Sequence, residues 1–409
     1  MGGNCNSESP RRPTGFLGER LETLSLHAAA FLAFFTLIVG LNVFNKPLLL
    51  LLCLMAAPSL FVEEVRARFF AFFKNPYLVA LMFVVIASPA WSKLPKLSAS
   101  LVVVQASFVA LMLVFSAGIS LAKLHRILVA AVCLHLLIVV LFIALFPSRS
   151  VSSTGLAAYY HHKNVLGALL SVELIILVSA ISFSRAAMWF ACLAAVLLVM
   201  SMSKTSVFGV SVAFMFYYIA NPFRVYGAAV ARHRYSLIFP VVASMLLLFA
   251  DPLLKWLYDV IPDDLFTGRG TLWKMVLLGV RSSPYFGIGP GVFWQASRES
   301  EAAQFSAYWQ DEYWLQRLVA SDGAYIDLIA SFGVVGFVLV AGLLSHTLVN
   351  MIRLSSPDVR RLLVPSLVFC IIHAVTESTI LYSTNVNWAL MIVAVGYVSQ
   401  LRSVPATHD

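Results

Sequence analysis

The chain has 409 residues, of which 60% are hydrophobic and only 11% charged, and its mean hydropathy is +0.88. Soluble domains have about 45–50% apolar and about 25% charged residues, so this apolar excess must face lipid, and soluble, DNA-binding and secreted proteins are excluded. The formal charge is +9, but the Lys and Arg residues stand singly or in pairs between apolar runs, which is typical of topology signals and not of a nucleic-acid surface.

Apolar runs follow one another along most of the chain. Crossing a bilayer takes about 20 helical residues, and twelve candidate runs are found at residues 25–45, 47–62, 76–91, 100–121, 127–146, 165–183, 187–202, 206–220, 236–250, 326–349, 362–380 and 387–401. The sequence thus predicts an all-α polytopic integral membrane protein with about twelve transmembrane helices. Its predicted parts are a leader (1–24), helices 1–9 (25–250), a long loop (251–325), helices 10–12 (326–401) and a tail (402–409).

The basic residues predict the orientation of these helices. With the loops assigned alternately to two sides, sixteen Lys and Arg residues fall on one side and six on the short loops of the other. Because basic residues collect in cytoplasmic loops, we expect the richer side, with both termini, to be cytoplasmic. The long loop between helices 9 and 10 is then extracytoplasmic.

The long loop is predicted to be ordered and partly helical. It holds five of the eight tryptophans, Trp256, Trp273, Trp294, Trp309 and Trp314, a composition that packs and is not typical of disorder. An amphipathic helix is expected from Thr267 to about Arg281, ended by Ser282-Ser283-Pro284. This loop is the predicted location of the active site.

Four polar groups of residues are predicted to face the same outer side. The first contains His162, Lys163 and Asn164, before the sixth helix. In a purely structural interpretation, this group forms a collar at the membrane interface. In a functional interpretation, Lys163 would hold a phosphate and Asn164 would cap the helix or bind a sugar hydroxyl. The adjacent histidines point to different helix faces, so they do not form a chelating pair.

The second and third groups supply cations. Lys204 lies in the turn Ser201–Ser206, where it is either a solvated helix end or an anion site beside a helix amino end. Arg269 lies between Gly268 and Gly270. Those glycines let a ligand approach the backbone and would make a pyrophosphate cradle, or they belong to a plain turn with a surface arginine.

The fourth group is Ser321–Asp327, at the start of the tenth helix. Asp322 is either a helix cap or a general base at the membrane surface. Within the membrane, Glu173, His135, His346, His373 and Glu377 are costly enough to indicate packing against another helix or a proton path. Glu377, near the outer end of the eleventh helix, is the one expected to reach the outer site. The cysteines lack the spacing of a disulfide framework or a zinc site, and no metal site is predicted.

At these positions the sequence resembles the O-antigen ligase and polymerase superfamily of integral membrane glycosyltransferases, and within it the exopolysaccharide polymerase branch. The resemblance extends over most of the chain. It is carried, in order, by Ala90-Trp91-Ser92, His162-Lys163-Asn164-Val165-Leu166-Gly167, Ser203-Lys204-Thr205-Ser206, Thr267-Gly268-Arg269, Trp273, Gly287-Ile288-Gly289, Phe293-Trp294, Tyr325-Ile326-Asp327, Gly333-Val334-Val335-Gly336 and Thr376-Glu377-Ser378.

The resemblance implies a polysaccharide polymerase that joins undecaprenyl-pyrophosphate-linked repeat units at the outer face of the bacterial inner membrane, without metal or other cofactor. Arginines that bind pyrophosphate in the family would correspond to Lys204 and Arg269, and the family histidine that activates the acceptor would correspond to Asp322. These three are the predicted catalytic residues of an inverting displacement. The predicted substrate-binding residues are Lys163, Asn164, His162, Trp273, Trp294, Tyr325 and Glu377, with the aromatic residues stacking on sugar faces.

Two alternatives stay open at this point. Ligation of a finished glycan to lipid A core would use the same donor and much the same site. A twelve-helix transporter or exporter without chemistry differs in class, and it would be expected to show broken helices at the membrane midplane and two related halves. The predicted partners are the lipid-linked oligosaccharide and membrane lipid, together with other polysaccharide export and chain-length proteins, and not nucleic acid.

Overall fold

The computed structural model describes residues 16–40, 45–220, 242–294, 320–353, 357–381 and 385–401. Helices dominate these residues. The described strands are β1 (Val151–Ser152) and β2 (Gly155–Leu156), which pair antiparallel as a short hairpin. The all-α class predicted from the sequence is confirmed.

Among the described residues up to 145 there are six α-helices, and the four-residue helix Pro147–Ser150 follows them. The bounds of the six are Phe16–Val39 (α1), Lys46–Ala56 (α2), Glu63–Ala71 (α3), Pro76–Ala87 (α4), Pro95–Gly118 (α5) and Leu121–Leu145 (α6). The Asn45 and Asn75 side chains accept hydrogen bonds from the first turns of α2 and α4, and each of these turns contains a proline. An asparagine cap followed by proline favours a helix start, because both compensate for backbone groups that lack helical partners.

The second half of the described chain is also helical. The bounds are Lys163–Ala180 (α7), Arg185–Ser201 (α8), Lys204–Ala220 (α9), Ala250–Val260 (α10), Leu265–Gly279 (α11), Ala324–Arg353 (α12), Pro357–His373 (α13) and Val386–Leu401 (α14). Residues 242–248 are helical as well. The predicted ninth run, 236–250, lies partly outside the described residues, so the count of twelve membrane helices stays a prediction.

The lengths of the helices agree with a membrane protein. Within the described residues, α5, α6, α7 and α12 are long and apolar enough to cross a membrane. The predicted second run, 47–62, coincides with Lys46–Phe61, which is α2 extended by a 3₁₀ turn. A bend of 108° follows this run, before α3. The bend separates the apolar α2 from α3, which begins with Glu63 and Glu64; charged residues of this kind are disfavoured inside a span.

Two clusters of buried apolar residues hold the structure together. The larger one includes residues of α1, α2, α4 to α9 and α12 to α14. The smaller one joins α10, α11 and residues 288–293 to the first half of α12, with Leu254, Met275, Phe293 and Ile329 at its centre. Residues 250–294 thus have a packed core, as the tryptophan content of the predicted loop requires. The extracytoplasmic position of this loop stays a prediction.

Helix α12 is interrupted at Gly333, where the predicted tenth helix was continuous. Gly333 has φ 64° and ψ −164°, a backbone conformation outside the helical region that glycine adopts at little cost. Residues 284–289 lie against this break and bond to its free backbone groups. The bonds are Ile288 N to Ala330 O (2.9 Å), Gly289 N to Ser331 O (3.2 Å), Val334 N to Pro284 O (2.9 Å) and Val335 N to Tyr285 O (3.1 Å).

Two of the costly intramembrane residues are partners of each other. His135 of α6 contacts Glu173 of α7 through Nδ1, and both side chains are almost fully buried. The other ring nitrogen, Nε2, lies 2.8 Å from the Tyr160 hydroxyl, which donates to Ile38 O at 2.8 Å. This network joins α6, α7 and α1 to one another through Tyr160, which precedes His162 and Lys163 in the chain.

Candidate functional site

The site is built around the guanidinium of Arg269. The sequence placed Arg269 in a glycine turn that opens a helix. The helical segment α11 is assigned from Leu265, but Gly268 has φ +97°, outside the helical region, so Arg269 directly follows a glycine turn within α11. Gly270 allows α11 to pack closely, since a Cβ there would lie 1.9 Å from Pro262 O. The Arg269 side chain is only 12% exposed, and its position is therefore set by the protein and not by solvent.

Two carboxylates flank Arg269. Nη2 donates to Glu377 Oε1 at 2.8 Å, and Nε lies 3.7 Å from Asp322 Oδ2. Glu377 is 21% exposed and Asp322 is 52% exposed. One guanidinium thus holds two carboxylates at a partly buried surface, an arrangement in which paired charges interact more strongly than in water.

Glu377 reaches this position from a connection and not from a helix. The predicted eleventh helix ran to residue 380, but α13 ends at His373. Residues 374–377 continue in turns, which brings the Glu377 carboxylate to Arg269 and to Asn164 Nδ2, 3.4 Å away. Burial raises the pKa of the Glu377 carboxyl to about 7, although Arg269 acts in the opposite direction.

A turn stabilised by Asp327 presents Asp322. Asp322 has φ +52°, the left-handed conformation, and is therefore not an ordinary helix cap, for which an extended backbone is typical. Asp327 Oδ1 accepts from Ser321 N at 3.0 Å and from Trp294 Nε1 at 2.9 Å, while Oδ2 accepts from the Ser378 hydroxyl. These bonds connect the Asp322 turn to Trp294 and to the segment that carries Glu377.

Asp327 had no role in the sequence interpretation beyond its place in a motif. A carboxylate in the first turn of an apolar, membrane-length helix was the signal that could have identified it, because such a residue is retained only with partners. We regard Asp327 as a positioning residue, since its bonds go to groups of the protein on both sides of the candidate site.

The predicted aromatic residues support the site from within. Trp273 is 7% exposed, and its Nε1 donates to Ser321 O at 3.1 Å, so it holds the Asp322 turn and offers no open face for a sugar. The Tyr325 hydroxyl donates to Ile371 O at 2.9 Å and joins α12 to α13. Trp294 is half-buried and bound to Asp327. For Trp273, burial therefore contradicts the predicted stacking role.

The amino end of α7 supplies a second group of predicted residues. His162 caps the helix, with Nδ1 accepting from Asn164 N at 3.2 Å. The pKa of His162 is lowered first by burial and then by the charges of His161, Lys163 and Arg269, whereas Asp322 raises it. His162 therefore lies within electrostatic reach of the Arg269–Asp322 pair. Lys163 instead donates to Thr154 O at 2.7 Å, in the β1–β2 hairpin.

Asn164 connects this group to the turn before α9. The Ser203 hydroxyl donates to Asn164 Oδ1 at 3.3 Å and lies 2.8 Å from the Ser206 hydroxyl. Gly167 lets α7 and α9 meet here, because a Cβ at Gly167 would lie 2.5 Å from Ser203 Cβ. Lys204, the first residue of α9, is exposed beside this contact.

The four predicted polar groups are thus brought to one end of the helices. Hydrogen bonds join Arg269, Glu377, Asn164 and Ser203, and an ion pair joins Arg269 to Asp322. Lys204 follows Ser203 in the chain. The arrangement combines fixed and exposed cations, a half-exposed carboxylate and a polar surround. Chemically, it can bind an anionic group and accept a proton at the same place.

One comparison with known proteins agrees with this site. Residues 170–341 match the family model for O-antigen ligase. The matched range contains Lys204, Arg269, Asp322 and Tyr325, whereas His162, Lys163, Asn164 and Glu377 lie outside it. No curated protein matches the chain. This part of the chain is O-antigen ligase-like, and the predicted resemblance to the ligase and polymerase superfamily is confirmed.

Proposed function

We propose that the protein is a polysaccharide polymerase, a glycosyltransferase that joins undecaprenyl-pyrophosphate-linked repeat units during exopolysaccharide biosynthesis. The reaction takes place at the outer face of the bacterial inner membrane, and it uses no metal or other cofactor. The observation that carries the proposal is the Arg269 guanidinium, which lies inside the range that matches the O-antigen ligase family model and is held between the carboxylates of Asp322 and Glu377.

In the proposed reaction, Arg269 and Lys204 bind the pyrophosphate of the donor. A hydroxyl of the acceptor glycan attacks the anomeric carbon, and the bond from that carbon to the pyrophosphate oxygen breaks. The electron pair stays on the departing undecaprenyl pyrophosphate, where the two cations stabilise the developing charge. A single displacement of this kind inverts the anomeric centre.

Asp322 accepts the proton of the attacking hydroxyl in this proposal. Its carboxylate is 52% exposed and so can be reached by an acceptor. Its Oδ2 lies 3.7 Å from Arg269 Nε. Glu377 is more buried and is bonded to both Arg269 and Asn164, and we assign it to holding Arg269 in place. Lys163, His162 and Trp294 complete the surroundings of the bound donor.

Replacing Arg269 by alanine tests the proposal. We expect Arg269→Ala to abolish polymer synthesis in cells, because the leaving group loses its main charge partner, while the protein still accumulates in the membrane. Polymer is measured by gel electrophoresis of cell-surface polysaccharide, and the protein by immunoblot. Arg281→Ala is the matched control, since Arg281 is exposed just beyond α11 and packs over the Tyr258 ring. Wild-type polymer from Arg269→Ala would remove Arg269 from the site.

Ligation of a finished glycan to lipid A core is a second candidate, because the matching family model is described as O-antigen ligase. A deletion strain separates the two activities. Accumulation of single lipid-linked repeat units indicates a polymerase, whereas accumulation of long lipid-linked polymers indicates a ligase. If the protein is a transporter without chemistry, the purified wild type shows no glycosyl transfer, and Arg269→Ala and Asp322→Asn change nothing in that assay.

A further inference from the structure

A cavity with a mixed polar and apolar lining lies beside Glu377, the hydrogen-bond partner of Arg269. Its volume is about 150 Å³, roughly ten times the 10–15 Å³ that a single water molecule needs. Four parts of the chain form its walls: the end of α1, the first turns of α7, the connection after α13 and the start of α14. We call it the Asn387 cavity, after the residue at the start of α14.

Several polar atoms in the wall lack a partner. Among the residues that the structure describes, both ring nitrogens of His373, the Thr379 hydroxyl and the Asn387 side-chain oxygen are buried without a hydrogen bond. All three side chains line the Asn387 cavity, and each is at most 2% exposed. Buried polar groups are nearly always paired, if not with protein then with water or a ligand. A cavity beside such groups can accommodate water or a ligand that forms hydrogen bonds.

The lining indicates the chemistry of that occupant. Polar side chains from Asn164, Glu377 and Asn387 alternate with apolar ones such as Leu37 and Leu169. The described lining contains neither Lys nor Arg, and Glu377 would repel an anion, so a phosphate is not expected inside. A sugar ring combines hydroxyls with apolar C–H faces and carries no charge. A sugar ring therefore matches this wall, because ligand pockets are generally apolar with a few polar groups that fix the orientation of the ligand.

The position of the cavity indicates which sugar of the donor it would bind. Glu377 both lines the cavity and accepts the 2.8 Å bond from Arg269, so the cavity lies next to the proposed pyrophosphate position. We propose that the Asn387 cavity binds the sugar ring bonded directly to the pyrophosphate of the donor, with His373, Thr379 and Asn387 recognising its hydroxyls. This inference rests on the proposed function and adds to it the part of the protein that recognises the donor glycan.

Two ligands test the proposal with purified full-length protein in detergent. One is the lipid-linked repeat unit extracted from the deletion strain, and the other is undecaprenyl diphosphate without sugar. We expect the wild type to bind the first at least tenfold more tightly. Ala168→Phe, which adds a ring from α7 into the cavity and removes no polar group, should lower this preference at least tenfold. Its affinity for undecaprenyl diphosphate should change less than twofold, and an unchanged preference would overturn the proposal.

A smaller change covers the case in which Ala168→Phe does not fold. Thr379→Val removes one hydroxyl without changing the shape, and we expect the preference to fall about two- to tenfold, as for one hydrogen bond. Thr347→Val is its control, because Thr347 is also buried but bonds to Leu343 O within α12. Equal preference in Thr379→Val and the control would overturn the proposal. Unchanged undecaprenyl diphosphate affinity in Arg269→Ala would instead contradict the proposed function.

Discussion

At the scale of single residues, the site depends on Arg269 having two carboxylate partners. In the described structure, Glu377 bonds to it directly and Asp322 lies close by. A buried charge without a partner is strongly unfavourable, so the carboxylates hold the guanidinium in place before any substrate arrives. An anionic ligand must then compete with Glu377 for the donors of Arg269, and this competition has a measurable consequence.

We expect binding of undecaprenyl diphosphate to be linked to protonation of Glu377. The pKa of Glu377 is about 7 because of burial, although Arg269 lowers it. A bound diphosphate occupies Arg269 and adds negative charge, and both effects raise this pKa. The bound state then holds more protons at and above pH 7, so affinity rises as pH falls. The increase is at most about tenfold per pH unit, and it levels off below pH 7.

Calorimetric titration at pH 6 to 9 measures this linkage. Glu377→Gln is the informative variant, because it keeps the shape and the amide can still bond while its charge no longer changes. Ionisation of the diphosphate itself affects wild type and variant alike, so the difference between their pH profiles reports Glu377. Identical profiles would show that Glu377 does not exchange a proton on binding.

At the scale of elements, the interruption of α12 determines where residues 284–289 lie. A Cβ on Gly333 would be 2.2 Å from Tyr285 O, and one on Gly287 would be 2.6 Å from Ala330 O. Two glycines on opposite sides of one contact thus allow two backbones to meet. The same contact holds Trp294 and Phe293 near Asp327, because residues 288–293 continue from it into the smaller apolar cluster.

Gly333→Ala should therefore destabilise the protein. A non-glycine residue in such a conformation costs about 1–3 kcal/mol, and the close contact with Tyr285 adds to that cost. We expect a lower melting temperature in detergent and faster proteolysis within residues 280–294. Ala341→Gly, in the regular part of α12, is the control for helix propensity alone, which is about 1 kcal/mol or less. Equal decreases in melting temperature for the two variants would mean that the contact between Gly333 and Tyr285 contributes nothing to stability.

At the scale of the whole molecule, the orientation in the membrane is the main untested expectation. The structure gathers residues 151–164, 201–206 and 320–323 at the end of the helices that carries Arg269. Lys123 and Arg185 begin helices at connections that the alternating assignment puts on the cytoplasmic side, and both are exposed.

Cysteine labelling tests this orientation in a variant lacking the native cysteines. Ser153→Cys and Arg281→Cys, at exposed positions, should react with a membrane-impermeant maleimide in intact spheroplasts. Lys123→Cys and Arg185→Cys should react only after lysis, because the positive-inside rule predicts them in the cytoplasm. The reverse pattern would place Arg269 inside the cell and exclude the proposed reaction.

Much of the helical framework could be predicted from the sequence, because apolar runs bounded by polar residues are typical of membrane helices. The predicted bounds of α7, α8 and α14 lie close to the observed ones. The bend between α2 and α3 and the break at Gly333 could not be predicted, since each depends on tertiary contacts that a linear pattern does not contain. Arg269, Asp322 and Glu377 could be named as candidates from the motifs that contain them. The bonds of Asp327 and the Asn387 cavity depend on tertiary contacts and could not be predicted.

The contact at Gly333 also changes what counts as one transmembrane element. Helix α12 lacks some of its own hydrogen bonds at that point, and residues 284–289 supply the missing donors and acceptors. In sequence, this segment lies about 45 residues upstream of Gly333, but its hydrogen bonds complete the backbone pairing of the helix, and unpaired backbone groups are costly. The helical unit is therefore composite, assembled from two pieces of chain that only folding joins.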